Sequence, residues 1–184
     1  MTRGSWGFVL ANEAFGTPIY SDAYPDGFGV FFLDWLKRHS QEELQPRVAA
    51  LKRYEGGELE LTGEQANAVG QALDIEIAPG TVWFDIEDEL EGLEMDGYLD
   101  AGFIVVDSTW SFAEWVYLVD LDTGALEVHH EIMRNPHAKE LRGRLSAHSC
   151  DLLAAWPLER LPTDDEFGSR LRDEYESRWG DIFD

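Results

Sequence analysis

Glu114-Trp115-Val116-Tyr117-Leu118-Val119-Asp120-Leu121-Asp122-Thr123-Gly124-Ala125-Leu126-Glu127-Val128 is the stretch whose reading decides the fold. Residues 114–121 alternate around Trp115, Tyr117 and Val119, side chains that suit a pleated, half-buried surface. Asp122-Thr123-Gly124 supplies turn chemistry, and residues 125–130 return antiparallel. A strand pair at this point makes the fold at least partly a β-sheet.

Upstream, residues 98–107 hold the β-branched run Ile104-Val105-Val106 and read as a strand, as do residues 81–86. Residues 6–11 are short and apolar, residues 12–16 read as a turn and residues 17–20 as extended chain, which together predict an N-terminal hairpin. Helices fill the intervals. Residues 30–38 carry apolar positions near helical spacing and end on Lys37 and Arg38, cations that complement a helix C-terminus. Residues 41–53 form a second helical segment. Thr62 and Gln65 have capping-box spacing ahead of a helix at 63–73, which Pro79-Gly80 closes off. Residues 87–96 read as an exposed loop or a turn of helix. Thr163 and Glu166 repeat the capping-box spacing before a terminal helix whose Phe167, Leu171 and Tyr175 share one face. That face predicts docking on the sheet, with Trp179 or Ile182-Phe183 anchoring the exit. No internal repeat or linker divides the chain, so the expected fold is one α+β domain over residues 1–184, a mainly antiparallel sheet packed by several helices.

Composition supports a packed core. At 184 residues a domain buries roughly 70% of its unfolded surface, and seven tryptophans separate this chain from disordered acidic sequences, which are poor in aromatics. Cys150 is the only cysteine, so neither an intrachain disulfide nor a cysteine-based zinc site can form. The N-terminus lacks a basic region followed by a long apolar run, and apolar stretches such as residues 115–119 are too short to span a bilayer. The expectation is a soluble cytoplasmic protein without a membrane partner.

The charge is regional. Between Arg53 and Arg134 there is no lysine or arginine but there are 20 Asp and Glu, leaving 17 acids against all 14 bases in the rest of the chain. A concentrated negative field repels nucleic acid and anionic membrane and attracts cations or basic protein surfaces. Its densest part places Asp85, Glu87, Asp88, Glu89, Glu91, Glu94 and Asp96 on a candidate interaction surface. A calcium loop is the alternative, since hard cations take several carboxylates, but with Gly92 at the sixth position the twelfth falls on Tyr98 instead of an acid.

Thr2-Arg3-Gly4, followed by extended chain and then by Asp22-Ala23-Tyr24-Pro25-Asp26-Gly27-Phe28-Gly29, resembles the start of an uncharacterised group of bacterial and phage proteins. Members of that group open Met-Gly-Thr-Arg-Gly and carry a Tyr-Pro-x-Gly-x-Gly element before a helix. Residues 114–128 are similar to the group's late hairpin, and the two segments cover about a quarter of the chain. The resemblance implies a shared fold and a phage-related or defence-related setting, and it implies no mechanism. This chain lacks the glycine after Met1, which puts Thr2 directly behind the initiator.

Several residues are candidates for chemistry. Thr2, once Met1 is removed, would set a hydroxyl beside a free α-amine, the arrangement of an N-terminal nucleophile. Asp120 and Asp122 share a face if the strand stays extended, and paired carboxylates serve acid–base catalysis or cation binding. Against that, Asp122 also suits turn initiation and Asp120 a strand end. Tyr24, Asp26, Gly27 and Gly29 form a candidate ligand loop with backbone freedom to cradle an anion, though no Walker lysine or dinucleotide fingerprint accompanies it. His129, His130 and His137 with Glu131 are metal-ligand types, but adjacent strand histidines point apart. His148 and Cys150, two apart on a helix, would also face apart. The sequence therefore predicts no defined metal site and no organic cofactor, with a divalent cation as the ligand its acidity would admit.

Two readings follow. The first is an acidic interaction or regulatory protein that binds a basic protein surface or cations, without direct nucleic-acid contact. The second is a small hydrolase using Thr2 or the Asp120–Asp122 pair.

Overall fold

A computed structural model of the chain describes residues 2–19, 22–55, 60–82, 95–106, 113–131 and 150–179. Its strands are β1 (Gly4–Leu10), β2 (Glu13–Ile19), β3 (Lys52–Glu55), β4 (Phe103–Val106), β5 (Trp115–Asp120), β6 (Ala125–Glu131) and β7 (Cys150–Pro157). The helices are α1 (Val30–Leu36), α2 (Gln41–Ala50), α3 (Gly63–Leu73), α4 (Met95–Ala101) and α5 (Asp164–Trp179). This is the expected α+β class. The main sheet runs β2-β1-β5-β6-β7, and a separate parallel pair joins β3 to β4.

The stretch at 114–128 forms the middle of the sheet. β5 pairs antiparallel with β6, Tyr117 opposite Val128 and Val119 opposite Leu126. On its other edge β5 runs parallel to β1, Trp6 opposite Tyr117 and Phe8 opposite Val119. The sheet is therefore mixed. Because successive strand residues point to opposite faces, Trp6, Phe8, Trp115, Tyr117 and Val119 line one side. They carry the main core, where the helices pack: Trp6 meets Phe32 of α1 at 6.0 Å and Tyr98 of α4 at 5.5 Å, and Trp156 of β7 meets Phe167 of α5 at 5.2 Å. Val9, Val116, Leu118 and Cys150 form a smaller buried cluster on the opposite face.

The two hairpin turns are tied together. Ala11 and Asn12, at φ 55° and 61°, make the two-residue loop between β1 and β2, a twist that suits a hairpin. The carboxylate of Asp122 accepts both of their amides, at 2.9 and 2.7 Å. Leu121 donates its amide to Val9, and Gln41 at the start of α2 donates its side-chain nitrogen to the Leu121 carbonyl at 2.9 Å. Gly7 lies opposite Gly16, and a Cβ at Gly7 would collide with the Phe15 carbonyl, so the β1–β2 pair can approach this closely only without a side chain there.

Several elements differ from expectation. Residues 13–16 belong to β2, because the turn needs only Ala11 and Asn12. The helix expected over 41–53 ends at Ala50; Leu51 is extended and buried, and Lys52 and Arg53 leave the helix to pair with Phe103 and Ile104. Residues 98–101, expected in a strand, are helical and place Tyr98 against Trp6. Strand β7, with its weak β-formers Ala154 and Ala155, gave no strand signal, and pairing with β6 holds it, with a bulge at Val128/His129. In the segment expected at 81–86, Val82 makes one bridge to Glu60, and residues 83–86 lie outside the described residues. Among the described residues no helix is long and apolar enough to cross a membrane.

Candidate functional site

The loop singled out around Tyr24 becomes a single wide helical turn, Pro25–Gly29, that leads directly into α1. Proline suits its first position, where a missing N–H costs nothing. The amides of Gly27 and Gly29 both turn back onto the Tyr24 carbonyl, at 3.1 and 3.2 Å. They are committed inside the turn, so neither of these two amides is left to cradle an anion. Its base is fixed from below. The Tyr117 hydroxyl donates to the Ala23 carbonyl at 2.8 Å, and Ala23 donates to the Thr2 carbonyl at 3.3 Å. Burial, followed by the carboxylates of Asp26 and Asp22, pushes the Tyr117 phenol well above its usual range, so it remains a proton donor. Gly29 is needed for closeness, since a Cβ there would lie 3.0 Å from the Tyr117 oxygen and 3.1 Å from the Phe167 ring.

Between this turn and α5 lies a cleft of about 540 Å³, within the range of small-ligand sites. Its wall is aromatic. Trp115 and Tyr175 stack with centroids 6.3 Å apart and planes at 27°, and His130 abuts both edge-on at 4.6 and 5.0 Å. Leu171 and Gly168 line the α5 side, with Arg172 and Glu176 beside them; Tyr24, Pro25 and Asp26 face them from the turn. Tyr24 is 42% exposed, a large aromatic left open to solvent. Of the loop residues named from sequence, the structure brings Tyr24 and Asp26 into the cleft, while Gly29 serves the packing beneath. Trp115, Gly168, Arg172, Tyr175 and Glu176 were not anticipated as site residues. The positions 168, 171, 172, 175 and 176 follow one helical stripe, a pattern that the sequence did contain.

The other candidates fall elsewhere. Asp120 is fully buried, and one carboxylate oxygen accepts the amides of Asp122 and Thr123 at 2.9 and 3.0 Å. With Asp122 holding the Ala11–Asn12 loop, both carboxylates are engaged by main-chain amides. Thr2 is 4% exposed, under the 24–29 turn. His129 and His130 do face apart: His129 is buried with Nε2 3.0 Å from Glu127, while His130 packs edge-on against Trp115 and Tyr175 from outside the cleft lining. Cys150 opens a strand instead of lying on a helix, and it is buried. Among the described residues no group of three or more His, Cys, Asp or Glu is placed to hold a metal ion.

Of the dense acidic run, Asp85, Glu87, Asp88, Glu89, Glu91 and Glu94 lie outside the described residues, as do His137 and His148. Asp96 is described, and it is compensated: Arg47 lies 3.3 Å and His39 3.4 Å away, with Arg47 also reaching Asp100 at 2.6 Å. The situation around α3 is different. Glu60, Glu64, Asp74 and Glu76 are all exposed, and no described base forms an ion pair with any of them. Neither protein-family models, nor curated proteins, nor solved structures yield a match to this chain.

Proposed function

We propose that this protein is an acidic interaction protein whose anionic face, centred on α3, docks a basic polypeptide segment. The observation that carries this reading is the set Glu60, Glu64, Asp74 and Glu76, exposed and unmatched by a described base in a chain of net charge −23. Such a field accelerates encounter with cationic partners and repels nucleic acid. Divalent cations are a second class of counter-charge for the same face. The hydrolase reading finds less support, because the amides around Asp120 and Asp122 occupy the carboxylates that it requires and Thr2 is buried.

A lysine-rich peptide titrated into the protein tests the proposal. Neutralising Glu60, Glu64, Asp74 and Glu76 together to Gln or Asn is expected to weaken binding and flatten its dependence on salt. Neutralising Glu42, Glu159, Asp165 and Asp173, equally exposed and equal in number, serves as the control. Equal losses from both sets would show that only net charge matters and would overturn the proposal.

A further inference from the structure

The cleft beside α5 has a charge pattern that the acidic face does not explain. Arg172 is exposed on it, in a chain with 37 acids and 14 bases, yet it forms no ion pair with any described carboxylate. Glu176 stands one helical turn away, and Asp26 faces it from the turn. A guanidinium with carboxylates nearby normally takes one of them, bidentate where it can. Here both signs are left available on the rim, above an aromatic wall.

These features select a ligand class. A simple anion meets Asp26, Glu176 and the field of the whole chain, while a simple cation meets Arg172. A zwitterion satisfies both signs at once. Half-buried Tyr175, backed by the buried Trp115 whose edge reaches the cleft, adds with Tyr24 at the mouth a surface on which an aromatic ring stacks offset or edge-on. Gly168 leaves room, since a Cβ there would meet nothing within 4 Å. We infer that the cleft between the Pro25–Gly29 turn and α5 binds a free aromatic α-amino acid. Arg172 receives the carboxylate, Asp26 and Glu176 receive the ammonium, and the side chain lies on Trp115 and Tyr175. The turn is a firm partner in this, because the Tyr117 hydroxyl and the close packing at Gly29 hold it in place. The inference is independent of the basic-partner reading, which rests on a different set of residues.

Isothermal titration calorimetry with L-phenylalanine, L-tyrosine and L-tryptophan tests it on the full chain. At least one is expected to bind saturably at one site, with its amide and its deaminated acid each weaker by about tenfold or more, as loss of a charged hydrogen bond implies. The amide also stands for a peptide N-terminus, and tight amide binding would assign the cleft to peptides. Gly168→Leu fills the cleft with a better helix former, so it is expected to abolish binding while the melting temperature holds. Arg172→Gln is expected to weaken the amino acid and leave the amide unchanged. Absence of binding by all three amino acids, equal or tighter binding of the amide, or binding that survives Gly168→Leu would each overturn the assignment.

Discussion

Asp122 shows how one side chain can organise distant parts of this chain. From sequence it is a turn residue before Gly124, and it does occupy that turn. Its carboxylate also spans 111 and 110 positions to hold the amides of Ala11 and Asn12, two non-glycine residues in the left-handed region. That backbone conformation costs an alanine about 1–2 kcal/mol, and the charged acceptor offsets it. Asp122→Ala is therefore expected to lower stability by about 2 kcal/mol, and Asp122→Asn, which keeps one acceptor oxygen, by about half as much, in urea denaturation. The left-handed pair at Ala11-Asn12 was not legible, because neither residue is the glycine that usually announces such a turn. The candidate site was half legible for a similar reason. Tyr24 and Asp26 sit in a segment marked by Pro and Gly, whereas Arg172 and Tyr175 sit in an ordinary helical stripe whose purpose depends on what lies opposite.

At the scale of elements, three helices begin with reciprocal caps: Ser40 with Glu43, Thr62 with Gln65, and Thr163 with Glu166. Caps are local, and the spacing at 62–65 and 163–166 announced α3 and α5 correctly. They differ in charge. The backbone amide of Thr163, then its hydroxyl, hold the Glu166 carboxyl below the usual carboxylate range, and Ser40 does the same to Glu43. A depressed folded-state value means that the stabilisation is present above the ordinary carboxylate value and is lost as pH falls through the depressed one. Glu166→Gln is expected to be less stable than the parent at neutral pH, with the gap closing on acidification. Thr62→Ala removes an uncharged cap, so its cost of about 1 kcal/mol should stay constant over the same range, as melts at successive pH values would show. Strands β3 and β7 were less legible. Their pairing is supplied by β4 and β6, so the decisive hydrogen bonds are made to residues remote in sequence.

For the whole molecule, a net charge of −23 opposes compaction, because folding brings like charges together. Some of it is locally relieved, as where Arg47 meets Asp96 and Asp100 and where Lys37 meets Asp164. Around α3 no described base provides such relief. Added salt shortens the screening length from roughly 30 Å at 0.01 M to roughly 3 Å at 1 M, so the melting temperature is expected to rise with sodium chloride at neutral pH. A melting temperature that is flat or falling with salt would show that ion pairs outweigh the repulsion. By itself the sequence determined the α+β class, the β5–β6 hairpin, the capped starts of α3 and α5 and the acidic bias, because each depends on residues within a few positions or on composition. Only the tertiary structure decided that β1 lies parallel to β5, that Asp122 is spent on the main-chain amides of Ala11 and Asn12, and that the 24–29 turn meets α5 across an aromatic cleft. Those outcomes arise from contacts between segments about a hundred or more residues apart, whose partners no local periodicity can specify.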